Sequence, residues 1–85
     1  MQNWIEKYLK GAESSASMAV LCEAAGQHID ADNYMYSARD SLAAALGRTV
    51  RAETPSDIHA FVSAVRAGEI SPAQPDQEDA PAEAA

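Results

Sequence analysis

Alanine fills fourteen of the first 70 positions, and no other feature limits the fold as much. It is the strongest helix former and lets helix backbones approach closely, but each alanine buries little area. A chain of 85 residues has room for one domain, and a fold this small buries only about 60% of the surface its unfolded chain exposes. The expected fold class is therefore all-α: a small bundle of three to four helices around a thin core. A core of that kind often gains stability by burying a further apolar face in an oligomer or a partner.

The apolar residues recur with helical period. Trp4, Ile5, Tyr8 and Leu9 share one face of the first segment, while Glu6 and Lys10 make an i, i+4 pair on another. Gly11 offers a stop, although an isolated glycine costs only about 1 kcal/mol against alanine and need not end a helix. Ser14, Ser15 and Ser17 are available as caps for a second segment, whose stripe is Met18, Leu21, Cys22, Ala25 and Ile29. The pattern allows two helices here, or one from Gln2 to Ile29. The turn residues "DADN", 30 to 33, are expected to break it.

A third helix is expected from about Tyr34 to Leu46, with Met35, Ala38, Leu42, Ala45 and Leu46 on one stripe and Gly47 as its stop. An extended piece, "RTVRAE", follows. The fourth helix has the clearest start, with Thr54 as cap, Pro55 at the first helical position and Asp57 as capping-box acid. Ile58, Phe61, Val62 and Val65 make its stripe, and Gly68 ends it.

The formal charge of -7 is unevenly spread. Residues 71–85 carry Asp76, Glu78, Asp79 and Glu83 with no base, whereas residues 1–70 set nine acids against six bases. That tail has no large apolar residue and is expected to be disordered; the helical domain is placed at 1–70 and the acidic Pro/Ala-rich tail at 71–85. A mildly acidic body argues against direct nucleic-acid binding, which rests on basic groups neutralising phosphates. "LAAALGR" looks like the first helix and turn of a helix-turn-helix, but the next helix starts only at Pro55, too far on for the usual short turn. No segment approaches the roughly 20 apolar residues of a membrane span, and "MQNWIEKYLKGAES" has no apolar run of signal-peptide length. The single cysteine, Cys22, permits no intramolecular disulfide. A cytoplasmic protein with no membrane association is expected.

Two stretches could carry chemistry. His28, Asp30 and Asp32 alternate beside Cys22 and Glu23 and offer nitrogen and carboxylate ligands. Their spacing matches no metal motif, and neither metal nor cofactor is expected. His59 reads as a boundary histidine and Cys22 as a buried thiol on an apolar stripe. The second stretch is Asp40-Ser41-Leu42. With the chain's length, acidity and helical content, and with Thr54-Pro55 opening the last helix, this triplet resembles acyl and peptidyl carrier proteins. The resemblance implies a phosphopantetheine arm on Ser41. The chain departs from that pattern in three ways. Arg39 stands where a glycine usually precedes the Asp, Ser41 falls two turns into a helix rather than at its start, and the stretch to the last helix is too short for the family's intervening elements.

The function expected is a non-enzymatic protein-protein interaction module with no catalytic residue, of the kind found among small acidic bacterial and phage regulators, adaptors and inhibitors. It would act through an apolar and aromatic helix face, on another protein or on itself as a homodimer. The partner-binding residues expected are Trp4, Ile5, Tyr8, Leu9, Tyr34 and Tyr36, because aromatics with a polar tip favour interface centres. The alternative is a carrier-like protein modified at Ser41.

Overall fold

The computed structural model describes residues 2–73. They form three helices, α1 (Asn3–Ala24), α2 (His28–Leu46) and α3 (Pro55–Arg66), with no strand among the described residues. The acidic stretch from residue 74 onward lies outside them.

α1 and α2 form an antiparallel hairpin whose seam is made largely of alanine. Ile5, Leu9, Ala12, Ala16 and Ala19 face it from α1, and Ala31, Met35, Ala38, Leu42 and Ala45 from α2. Both series advance by alternating steps of four and three, the 3.5-residue period that keeps one stripe against a neighbouring helix. Small residues on both sides bring the backbones close. Residues 48–54 then run back along α2 outside any helix, burying Val50 and Ala52, and Arg39 Nη1 donates to the Ala52 carbonyl at 3.2 Å. α3 returns antiparallel to α1 and closes the core with Ile58, Val62 and Val65, while Phe61 is only half-buried against it.

This register corrects the sequence reading of the first half of the chain. Of its two alternatives, the single helix through Gly11 is the one observed, with the three serines inside α1, but α1 stops at Ala24 instead of reaching Ile29. Of the stripe Met18, Leu21, Cys22, Ala25 and Ile29, only Cys22 is buried. The stop is Gly26, at φ 78°, a left-handed conformation that glycine adopts without penalty. Its N–H donates to the Glu23 carbonyl at 3.0 Å and that of Gln27 to the Cys22 carbonyl at 2.8 Å, the paired closure of a Schellman motif. The "DADN" residues are consequently helical, and α2 begins at His28 with Asp30 in its first turn, where a negative charge suits the helix dipole. Size misdirected the choice of stripe: the alanine stripe is the one that meets a matching alanine stripe on α2.

The start of α3 is as expected. Thr54 Oγ1 accepts from the Asp57 N–H at 3.1 Å, and Asp57 Oδ2 accepts from the N–H groups of Glu53 (3.0 Å) and Thr54 (3.1 Å). Those two backbone donors hold the Asp57 carboxyl below its ordinary value. At the other end of α3, Arg66 clamps the helix to α1. Its Nη1 donates to Glu13 Oε2 at 2.8 Å, and its Nε and Nη2 donate to the two oxygens of Glu6. Glu6 and Glu13 are seven residues apart and so lie on one side of α1. Glu6, paired with Lys10 in the sequence reading, is taken by Arg66 instead, and this hydrogen bond lowers its pKa. Arg66 is pushed upward in turn, by Glu6 first and then Glu13.

Two predictions arise here. A Cβ built on Gly11 would sit 3.6 Å from Ser41 Oγ, an ordinary contact, in the middle of a helix where glycine is disfavoured. Gly11→Ala is therefore expected to stabilise the fold by about 0.5–1 kcal/mol, raising the thermal midpoint by several degrees. An unchanged or lowered midpoint would mean that the seam is too tight for one methyl group at this point.

The second prediction concerns residues 71–73, assigned to the tail by composition. Pro72 and Ala73 are half-buried, and the Ala73 N–H donates to the Ala45 carbonyl at 2.9 Å, satisfying one of the free carbonyls at the end of α2. A chain ending at Ala73 is expected to melt like the full protein, and one ending at Ile70 to lose about 1 kcal/mol. Identical melting curves for the two would show that this contact contributes nothing.

Candidate functional site

Both ends of the bundle can be located from these contacts. One end gathers the start of α1, the end of α2 and residues 67–73. The other holds the α1–α2 turn and the start of α3. Among Leu, Ile and Val in the described residues, the exposed side chains are Val20, Leu21 and Ile29, all at this second end. Leu21 is 62% exposed and Ile29 78%. By helix geometry both point away from the α1–α2 seam. Leu21 is exposed because the alanine stripe of α1 is the one that faces α2, and Ile29 because the stop at Gly26 puts it in the first turn of α2 instead of continuing the α1 stripe.

At the same end a groove of about 520 Å³, with Val20 in its lining, runs between the last turns of α1, the first turns of α2 and the capped start of α3. Buried Ala19, Ala31 and Met35 lie deepest, and Val20, Ala24 and Pro55 are more exposed. Glu23, Asp32 and Glu53 add three exposed carboxylates, with no lysine or arginine among the lining residues. The capping box places Pro55 here, since it starts α3 at this end.

The six residues expected to bind a partner are not brought together. Ile5 and Leu9 are completely enclosed in the chain's own core, so neither can serve as a docking residue: the alanine-lined seam needs their bulk at its end. Trp4 and Tyr8 meet edge to face, ring centroids 6.1 Å apart, with Trp4 packed on the core and Tyr8 partly exposed. Tyr34 also packs on the core, whereas Tyr36 is 69% exposed on the outside of α2. Sequence reasoning did not pick out Val20, Met35 and Pro55 as parts of one surface. The available signal was Gly26, which could have been read as a stop.

Ser41 sits half-buried well inside α2, with Gly11 of α1 across from it. A carrier serine must project from a helix start to reach a transferase, so this placement counts against the carrier reading. His28 Nδ1 lies 2.7 Å from Glu23 Oε2 in an exposed pair spanning the α1–α2 turn. Among the described residues no three His, Cys, Asp or Glu side chains gather to hold a metal ion, and Cys22 is a buried free thiol. No described helix is long and apolar enough to cross a membrane. Compared with protein-family models, curated proteins and solved structures, the chain matches none.

Proposed function

We propose that this chain is a non-enzymatic protein-protein interaction module, a regulator, adaptor or inhibitor that docks through the end of the bundle formed by the α1–α2 turn and the start of α3. The observation that carries this reading is the open apolar groove at this end, with exposed Val20 in its lining; Leu21 and Ile29 add exposed aliphatic side chains on the outer faces of α1 and α2 at the same end. Singly scattered surface apolar residues are ordinary in soluble domains, but an open apolar groove marks a contact surface. The partner is another protein. A homodimer through the first helix and the stripe from Met18 to Ile29 would have to do without Ile5 and Leu9, which are enclosed.

The test is the double variant Leu21→Glu with Ile29→Glu. Both side chains are exposed, so the thermal midpoint is expected to stay within about 0.5 kcal/mol of the parent. A protein that co-purifies with the parent chain from cells of its source is expected to be lost with the variant. Retention of that protein would move the contact elsewhere, with the Tyr8 and Tyr36 surfaces next to be examined. Light scattering at a mass of twice 9.0 kDa, abolished by the same variant, would make the partner a second copy.

A further inference from the structure

We propose that the groove at the α1–α2 turn binds a basic amphipathic helix of another protein. The inference rests on the interaction reading above and names the chemistry of its partner. A trough between helix ends, floored by alanines, lets an incoming helix approach closely and lay its apolar side chains inside, the helix-in-groove mode of recognition. Met35 lies at the bottom, and an unbranched thioether adapts its shape to what packs on it. The volume of about 520 Å³ has room for several large aliphatic side chains.

Charge selects among the possible occupants. Glu23, Asp32 and Glu53 line the groove with no base among them; Glu23 also contacts His28, while no hydrogen bond or ion pair engages the Asp32 or Glu53 carboxylate among the described residues. A second copy seated here about a twofold axis would set this acidic face against itself, because such an interface presents one patch to its own duplicate. The chain's own stretch after Ala73 is a poor occupant for the same reason. It carries Asp76, Glu78, Asp79 and Glu83, no base and no large apolar residue. A segment with leucine-like residues on one face and lysine or arginine flanking them satisfies both the apolar trough and the acidic rim.

The test uses the full chain, labelled with ¹⁵N, and three synthetic peptides of about fourteen residues, four helical turns. One has leucine at i, i+3, i+4 and i+7 and lysine elsewhere. The second replaces each lysine by glutamate, and the third replaces each leucine by serine. The Leu/Lys peptide is expected to bind and to shift the amides of Ala19, Val20, Ala24 and Ala31, while the Leu/Glu and Ser/Lys peptides do not. Ala24→Trp, which fills the groove from an exposed position, and Asp32→Lys with Glu53→Lys, which reverses the rim, are each expected to weaken binding at least about tenfold without lowering the melt.

Equal binding of the Ser/Lys peptide, or binding indifferent to Ala24→Trp, would overturn the proposal by reducing it to nonspecific charge attraction. So would failure of the Leu/Lys peptide to bind, or tighter binding by the Leu/Glu peptide. If any of these occurs while a co-purifying protein is still released by Leu21→Glu with Ile29→Glu, the interaction module stands and only the groove and its basic helix are wrong.

Discussion

Leu42→Ala is expected to cost about 3–5 kcal/mol, which brings the domain close to unfolding at ambient temperature. Leu42 is enclosed on α2, in the stretch of the seam that also holds Ile5, Leu9 and Leu46. The surrounding helices are held by the Arg66 clamp and by the α1–α2 turn, so the site cannot fully collapse around the missing atoms. A residual cavity then adds to the lost transfer energy. A domain of this size has only about 5–10 kcal/mol to lose. The measurement is a thermal melt followed by circular dichroism, with an expected fall in midpoint of more than about 12 °C or loss of the cooperative transition. A fall of only a few degrees would mean that the seam is looser than described. Leu21→Ala, a change of the same chemistry at an exposed site, is the control and is expected to stay within about 0.5 kcal/mol.

Ala38→Leu has the next largest expected effect and tests the opposite failure. Ala38 is fully buried in the middle of α2 and belongs to the seam with Ala12 and Ala16. The added isobutyl group has nowhere to go without pushing α1 and α2 apart, and overpacking of this kind costs about 1–3 kcal/mol. Ala44→Leu, on the exposed side of the same helix, has similar helix propensity and should leave the midpoint nearly unchanged. Equal melting of the two variants would show that alanine at position 38 is not required for close approach.

These two expectations explain which parts of the fold were legible. The capped start of α3 was readable because Thr54, Pro55 and Asp57 act locally: each fixes its own backbone or satisfies a neighbouring N–H group. Gly47 was readable for the same reason, as a left-handed closure at φ 72° that ends α2. The core positions Ile58, Val62 and Val65, and those of α2 from Met35 to Leu46, followed from period and size together. In α1 the two criteria disagree. Met18 and Leu21 are the larger residues, while Ala12, Ala16 and Ala19 are the buried ones.

The candidate surface was misread for a related reason. Trp4, Ile5, Tyr8 and Leu9 do form a compact apolar cluster in sequence, but half of it is consumed by the core. Leu21 and Ile29, read in the sequence only as members of an apolar helix stripe, are left outside. The groove itself is assembled from three segments spread between Ala19 and Pro55, so no local stretch could announce it.

Composition, helical period and capping chemistry thus determined by themselves that the chain is all-α, and where α3 starts and α2 stops, because those are properties of one segment and its solvent. The tertiary structure decided which stripe of α1 is inside. A helix stripe is buried only if a complementary surface exists to cover it, and the alanines of α2 are complementary to the alanines of α1 rather than to its larger residues. That pairing, together with the early stop at Gly26, leaves Val20 exposed in the groove and Leu21 and Ile29 exposed on the outer faces of the two helices.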